Sequence, residues 1–210
     1  MQTLQRSAQE ILDFYTQPAR MTSPGKYAAA FRDLPCDVHA LAPIAQGLIL
    51  HEHIAPAYGQ TLSDERRRQV HTRPTEEIVG HLLAQDGLLL TVARSVETRH
   101  IGDCRHFSTL TVAMLRDKGV SARARCGFAT YFEPDMFVDH WVLEYWNEEE
   151  GRWTRVDAQI DKRQCEIFHP DFDLFDVPRN RFLIAGDAWL QCRAGKKDPN
   201  KFGIMDMTGL

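Results

Sequence analysis

The chain has 210 residues, 43% of them hydrophobic and 26% charged, with a formal net charge of −4. This length and apolar content are sufficient for one domain with a substantial buried core. The slightly acidic balance gives no reason to expect nucleic-acid binding, which usually needs a basic face. The longest apolar runs, near residues 44–50 and 88–90, are too short to span a bilayer. We therefore expect no nucleic-acid partner and no membrane partner.

The beginning of the chain and its cysteines indicate the compartment. Residues Met1 to Arg6 lack the apolar segment of a signal peptide. The cysteine count of five is odd, the spacing does not repeat, and cysteines of this kind stay reduced inside the cell. We predict a cytoplasmic protein. The cysteines that we assign to structural roles are Cys36, Cys126, Cys165 and Cys192.

The first 85 residues are predicted to be mainly helical. A first helix, which ends before Pro18, is predicted from an apolar stripe. Further helices are predicted over 37–54, with an interruption at Pro43, and over 64–71 and 74–85. The stripe of the first helix consists of Leu4, Ala8, Ile11, Leu12 and Tyr15.

Two pairs of cysteine and histidine, one in this part of the chain and one closer to its end, are weak indications of metal ligation. Cys36 and His39, like Cys165 and His169, have a spacing that metal ligands also use, but neither pair belongs to a paired zinc framework. The alternating histidines of His51-Glu52-His53 would point about 200° apart on a helix and would not share a metal. No calcium-binding loop is recognisable. We predict no metal and no cofactor.

A helix is predicted from Asp103 to Lys118, because this segment lacks proline and glycine and has a helical apolar stripe. Asp103 is the expected N-cap and Gly119 the expected left-handed C-cap. Cys104 then lies in the first turn, where unpaired backbone N–H groups and the helix dipole favour a thiolate. The same N–H groups are suited to stabilise an oxyanion beside the sulfur.

A β-hairpin is predicted from Val138–Trp146 and Arg152–Val156, joined by a turn over 147–151. His140 lies seven residues before the turn and Asp157 six residues after it. In a regular antiparallel pair these two side chains lie nearly opposite each other on one face. The opposite face then has an apolar set that consists of Trp141, Leu143 and Tyr145.

After the hairpin, an acidic and aromatic segment over 168–178 is predicted to be a loop. The sequence leaves open whether this loop borders the cleft or is a surface loop held by Phe172 and Phe175. A final helix is predicted over 179–193. We find no repeat or linker, so residues 1–210 are predicted to form one domain. Its parts are a helical N-terminal portion, 1–85, and a catalytic core with a C-terminal helix, 86–210.

Cys104, His140 and Asp157 together have the residue types of a thiol nucleophile, its acid/base and the carboxylate that orients the base. A single cysteine on a helix is more often a small buried hydrophobic residue. The order of the three residues, on a helix N-terminus and two paired strands, favours the catalytic interpretation.

The segment from Gly102 to Gln159 resembles the transglutaminase-like superfamily, and more closely a bacterial subgroup of transglutaminase-like domain proteins. Outside the three residues above, the resemblance rests on short segments, and it extends from about residue 85 to the end. Relatives in this subgroup tend to be longer at the C-terminus, which leaves open a missing terminal segment. The segments are Gly119 to Phe132, Asp139 to Trp146, Gly151 to Trp153, Val156 to Gln159, Phe175 to Arg179 and Ala188 to Leu190.

The resemblance implies an α+β fold with a papain-like core, in which the nucleophile helix packs on an antiparallel sheet. It also implies that Cys104 is the nucleophile, His140 the acid/base and Asp157 the orienting carboxylate. Two positions depart from the family pattern. Many relatives have an acidic residue where this chain has His106, and a tryptophan where it has Val142, with Trp141 one position earlier.

The leading functional hypothesis is cysteine-dependent acyl transfer or amide hydrolysis through a thioester. The substrate is a peptide, a protein or a small amide or ester; the acyl acceptor and the oligomeric state stay open. His106, Trp141 and Gln159 are candidate neighbours of the substrate or the oxyanion. Two alternatives remain: a catalytically silent binding module with the same fold, and a redox or metal protein that uses several cysteines.

Overall fold

The computed structural model describes residues 7–204, and its elements combine helices with a mainly antiparallel sheet. The helices are α1 (Ala8–Thr16), α2 (Val38–Leu48), α3 (Asp64–Arg67), α4 (Thr75–Asp86), α5 (Cys104–Asp117), α6 (Lys162–Phe168) and α7 (Ala185–Arg193). The strands are β1 (Ile49–His51), β2 (His100–Gly102), β3 (Ala122–Ala129), β4 (Phe137–Asn147), β5 (Arg152–Val156), β6 (Phe182–Ile184) and β7 (Phe202–Gly203). Short 3₁₀ helices lie between several of these elements.

The larger sheet has the strand order β5-β4-β3-β6, and β7 pairs with β4. All neighbours along that order are antiparallel, whereas β7 runs parallel to β4. A second, small sheet consists of β1 and β2, which pair in parallel. The predicted α+β class is confirmed.

Helix α5 packs on the larger sheet through strands β3 and β4. Its residues Phe107 and Leu110 share the main apolar core with Leu143 of β4 and with Leu41 of α2. A second apolar cluster, around Val142 and Phe182, lies beside β3 and β6. Because Val142 and Leu143 are neighbours in one strand, their side chains enter different clusters. The sheet therefore separates the main core from a smaller one.

The ends of α5 follow the prediction. Asp103 is the N-cap, and its carboxylate accepts a hydrogen bond from the backbone N–H of Arg105. The helix ends near Lys118, and Gly119 follows with φ of +78°, a left-handed conformation that glycine adopts without strain.

The predicted helix over 37–54 is wrong in its second half. Helix α2 continues through Pro43 and ends at Leu48, and residues 49–51 form strand β1. This strand pairs with β2, and its three residues are buried. An apolar run in this position satisfies a helical pattern and a buried strand equally, and the pairing with β2 decides between them.

The predicted helix over 179–193 is also wrong in its first part. Phe182–Ile184 is strand β6, which pairs with β3, and only Ala185–Arg193 is helical. β6 covers the edge of β3 that would otherwise expose unpaired backbone groups. On α7, Trp189 is 59% exposed, so this side chain is not part of the core.

The loop after α6 is held by its aromatic residues. Phe172 packs against the second cluster and Phe175 against the main core. Of the stripe predicted for the first helix, Leu4 lies outside the described residues, and the remainder lies in α1. No helix in the described range 7–204 is long and apolar enough to cross a membrane.

Candidate active site

Cys104 occupies the first position of α5 and is partly exposed. Two hydrogen bonds fix the backbone in front of it: Arg105 N–H donates to Asp103 Oδ1 over 3.0 Å, and Asp103 N–H donates to His106 Nδ1 over 3.0 Å. Such a reciprocal cap satisfies donors that a helix start otherwise leaves unpaired. As the first residue of α5, Cys104 has a backbone N–H that has no partner within the helix.

His106 supports this cap from within the protein. Its ring is almost fully buried, and its Nε2 lies 3.1 Å from the carbonyl oxygen of Thr72. Its Nδ1 contacts Asp103 twice, at 3.0 Å from the backbone nitrogen and at 2.8 Å from Oδ1. Burial alone would raise the pKa of Asp103, but the hydrogen bond and charge of His106 and the charge of Arg105 lower it. The cap is therefore an ionised carboxylate, and both His106 ring nitrogens are occupied by protein groups.

The hairpin register brings His140 and Asp157 together diagonally. Leu143 pairs with Val156, so Asp157, one residue beyond β5, lies two positions from direct opposition to His140. An even offset keeps both side chains on one face. His140 Nε2 lies 2.8 Å from Asp157 Oδ2, and both residues are only 2% exposed.

This pair holds a proton on the histidine. Burial alone would lower the pKa of His140, but the charge and hydrogen bond of Asp157, together with the neighbouring Cys104, raise it to about 10. For Asp157, burial would raise the pKa, but the His140 charge and three hydrogen bonds lower it. Since Nε2 is bound to Asp157, Nδ1 is the His140 nitrogen available to exchange a proton with Cys104.

Tyr131 is a member of the site that the sequence reasoning missed. Its hydroxyl donates to Asp157 Oδ2 over 2.7 Å, while the backbone N–H of Gln159 donates to Oδ1 over 3.0 Å. Burial, followed by the charge of Asp157, raises the pKa of Tyr131 well above its usual value, so the hydroxyl stays a donor. Its position just after β3 shows no signal in the sequence, because the contact depends on the loop that follows the strand.

Aromatic rings enclose His140. The ring centroid of Phe132 lies 4.8 Å from that of His140, and those of Tyr131 and Phe182 lie at 6.0 and 6.4 Å. Opposite His140 in the sheet is Gly127, where an added Cβ would lie 2.3 Å from the Leu183 carbonyl oxygen. The glycine permits this close packing, which limits the access of water to the His140–Asp157 pair.

The other two predicted neighbours contact the site through their backbone. Trp141 is partly exposed, and its carbonyl oxygen lies 3.1 Å from Ser108 Oγ, which is also 3.2 Å from the carbonyl oxygen of Cys104. This hydroxyl connects β4 to the first turn of α5. The Gln159 side chain is buried and donates to Gln164 Oε1, so it supports Asp157 through its backbone N–H alone.

The remaining cysteines are free thiols. Burial raises the pKa of Cys126 and that of Cys165, with nearby acidic groups contributing in the same direction. Within residues 7–204 no group of at least three His, Cys, Asp or Glu side chains is arranged to hold a metal ion. The pairs Cys36–His39 and Cys165–His169 thus lack further ligands in that range.

Comparison with known proteins gives a family match and one distant structure. Residues 85–158 match the family model described as the transglutaminase-like superfamily. A candidate cysteine protease from Cytophaga hutchinsonii has a structure that aligns with a TM-score of 0.47 and 16% identity. The alignment covers 88% of this chain and 48% of that one, so the chain spans about half the length of the Cytophaga protein. No curated protein matches the chain.

The matched segment begins before α5 and ends just after β5, and it includes Cys104, His140 and Asp157. This segment, residues 85–158, is therefore similar to the transglutaminase-like superfamily, as the sequence predicts.

Proposed function

We propose that the protein is an enzyme that transfers or hydrolyses acyl groups through a thioester on Cys104. The observation that carries the proposal is the 2.8 Å contact between His140 Nε2 and Asp157 Oδ2, which leaves Nδ1 of a protonated ring for the thiol at the start of α5. The match to the transglutaminase-like superfamily supports a cysteine-based catalytic fold.

The chemistry follows from these positions. The Cys104 sulfur attacks the carbonyl carbon of an amide or ester, and the carbonyl electron pair moves to the oxygen. When the intermediate collapses, the bond to the leaving group breaks and His140 gives its Nδ1 proton to that group. Water or an amine then gives a proton to Nδ1 and attacks the thioester, which releases the acyl group and the thiolate. Asp157 keeps the ring oriented throughout.

The substrate class is a peptide, a protein or a small amide or ester, because each offers the carbonyl that the sulfur attacks. Hydrolysis is the reaction that we propose first, since water needs no binding site of its own, whereas amine transfer requires an additional pocket. The proposal includes no nucleic-acid or membrane partner.

The test is acylation of the protein by p-nitrophenyl acetate, a small activated ester. We expect a burst of nitrophenolate of about one equivalent per chain, with the acetyl group assigned to Cys104 by mass spectrometry. Cys104→Ala should abolish the burst, and His140→Ala should slow it by about 10⁴-fold. Cys126→Ala is the matched control, because Cys126 is the exposed thiol of β3, and it should leave the burst unchanged.

A companion measurement uses iodoacetamide at pH 6, where an ordinary thiol of pKa about 8.5 is almost fully protonated. Fast alkylation of Cys104 that is lost in His140→Ala supports an activated pair. Slow alkylation together with no burst would contradict the proposal and favour a binding module that has kept the fold.

A further inference from the structure

The oxyanion that forms in the proposed reaction has one evident donor, the backbone N–H of Cys104. An oxyanion of this kind is normally held by at least two donors, and each contributes strongly to the rate. The second donor must come from a group near the start of α5 that belongs neither to the cap nor to the His140–Asp157 pair. His51 meets this description.

His51 lies beside the segment that leads into Cys104. Strand β1 runs parallel to β2, with His51 paired to Gly102, and the backbone N–H of Glu52 donates to the Gly102 carbonyl oxygen over 2.9 Å. Because the strands are parallel, the chain after Gly102 continues directly past the end of β1 into the first turn of α5.

The approach of the two strands is tight. A Cβ on Gly102 would lie 2.8 Å from the Cβ of His106 and 3.0 Å from a methyl group of Ile49. Glycine at this position therefore allows β1 to pack closely against the segment before Cys104. His51 is held next to Gly102 by the register of the two strands.

A hydrogen bond from the backbone two residues later determines which ring nitrogen of His51 carries the proton. The backbone N–H of His53 donates to His51 Nδ1 over 3.3 Å, so Nδ1 is an acceptor and the proton of the neutral ring is on Nε2. The residue is 5% exposed. Nε2–H is thus a donor on a buried ring, held by a backbone contact at the other nitrogen.

The electrostatic surroundings agree with this position. Burial, which is the largest cause, lowers the pKa of His51 to about 3, and the charges that act on it come from Asp103, His53, His140 and His106. Asp103, the cap of α5, and His140, the proposed base, are both among these groups. A neutral imidazole here stays a donor and does not titrate in the neutral range.

We propose that His51 is a catalytic residue whose Nε2–H is the second oxyanion donor beside the Cys104 N–H. This inference rests on the proposed function. When the sulfur–carbon bond forms, the carbonyl oxygen gains the electron pair and accepts hydrogen bonds from these two groups. When the carbonyl re-forms and the leaving group departs with the proton of His140, His51 keeps its own proton.

Two substitutions of His51 test the roles of Nδ1 and Nε2 separately. His51→Asn places an amide near the position of Nδ1, so it can still accept from His53 N–H, but it lacks the distant donor. His51→Gln can place an N–H near the position of Nε2. With p-nitrophenyl acetate as the probe, we expect acylation of Cys104 to fall by about 100-fold in His51→Asn and by less than about 10-fold in His51→Gln.

Alkylation by iodoacetamide is the second readout, because attack on a saturated carbon forms no oxyanion. It should proceed at the wild-type rate in both variants. His53→Gln is the control: the His53 side chain is exposed, and its backbone N–H is retained, so both rates should be unchanged.

The outcomes distinguish the two proposals. A His51→Asn variant that is acylated at the wild-type rate overturns the role of His51 and leaves the proposed function standing. Equal losses of acylation and alkylation in that variant also overturn it, because His51 would then act on the cysteine or the fold. A wild-type protein that is neither acylated nor rapidly alkylated rejects the proposed function, and the role of His51 with it.

Discussion

Two buried carboxylates on the same hairpin have very different partners. Glu144 of β4 is bound by three arginines: its Oε2 lies 2.9 Å from Arg123 and 2.7 Å from Arg125, and its Oε1 lies 3.0 Å from Arg155. Asp157, just beyond β5, accepts from one histidine, one tyrosine hydroxyl and one backbone N–H.

The two carboxylates differ in whether the positive charge beside them can be lost. Arginine stays protonated at every accessible pH, so the charge around Glu144 is constant and suits a structural role. The histidine beside Asp157 can release its proton while it stays bound to the carboxylate, which is the property that acid/base chemistry requires. A buried carboxylate is therefore interpreted through its partners rather than through its burial. Three substitutions and one matched control test this contrast, beginning with the largest expected effect.

Asp157→Asn should reduce acylation by about 10³- to 10⁴-fold while the protein stays folded. In the native site Oδ2 accepts from His140 and Tyr131, and Oδ1 accepts from the Gln159 N–H. An amide has one oxygen, so either orientation turns its NH₂ group toward a donor and disturbs the ring of His140. The measurement is the burst rate with p-nitrophenyl acetate, with circular dichroism as the check on folding.

A burst rate in Asp157→Asn within a few-fold of wild type would mean that the carboxylate is not needed to orient His140. The pair would then be a structural contact like that of Glu144.

Glu144→Gln should have the opposite profile, a large loss of stability with little change in the chemistry. The substitution leaves three guanidinium groups around a neutral amide, and breaking a buried ion pair in this way costs about 3–5 kcal/mol. The free energy of unfolding in urea measures the loss, and the burst rate of the folded fraction should stay within about three-fold of wild type.

Glu150→Gln is the matched control for this variant. Glu150 forms an ion pair with Arg152 in which both side chains are close to half exposed, and such pairs contribute less than about 1 kcal/mol. Equal losses of stability in the two variants would contradict the structural role of Glu144.

The sequence predicts those features of the site that depend on interactions between residues close together in the chain. The N-cap Asp103, the start of α5 at Cys104 and the β4–β5 turn follow from short-range preferences, and they place the three proposed catalytic residues. The exact register is not among them, since the predicted near-opposition of His140 and Asp157 is a two-residue diagonal. The even offset preserved the shared face, which is why the prediction of contact holds.

The parts that the sequence does not predict depend on partners that are distant along the chain. β1 and β6 are three-residue, mainly apolar segments whose strand character comes from pairing with β2 and β3. Assigning 49–51 to a helix also removed His51 from consideration, because its position depends on that pairing. Tyr131 is similar: its contact with Asp157 spans 26 residues and a loop.

The third effect that we expect is a dependence of stability on pH. The pKa of His140 is raised from 6.5 to about 10 in the folded protein. A raised histidine pKa gives stabilisation that is fully present below about pH 6.5 and is lost as the pH rises through 10. Between these limits the free energy of unfolding should fall by about 1.4 kcal/mol for each pH unit because of this group. The arginines around Glu144 stay charged in that window and give no such slope.

The test compares wild type with His140→Gln, which keeps a donor for Asp157 but does not titrate. Urea unfolding from pH 7 to 9.5 should give a steeper decline for wild type than for His140→Gln. Parallel stability curves for the two proteins would mean that His140 is neutral in the folded state, and the proposed distinction between the two carboxylates would fail.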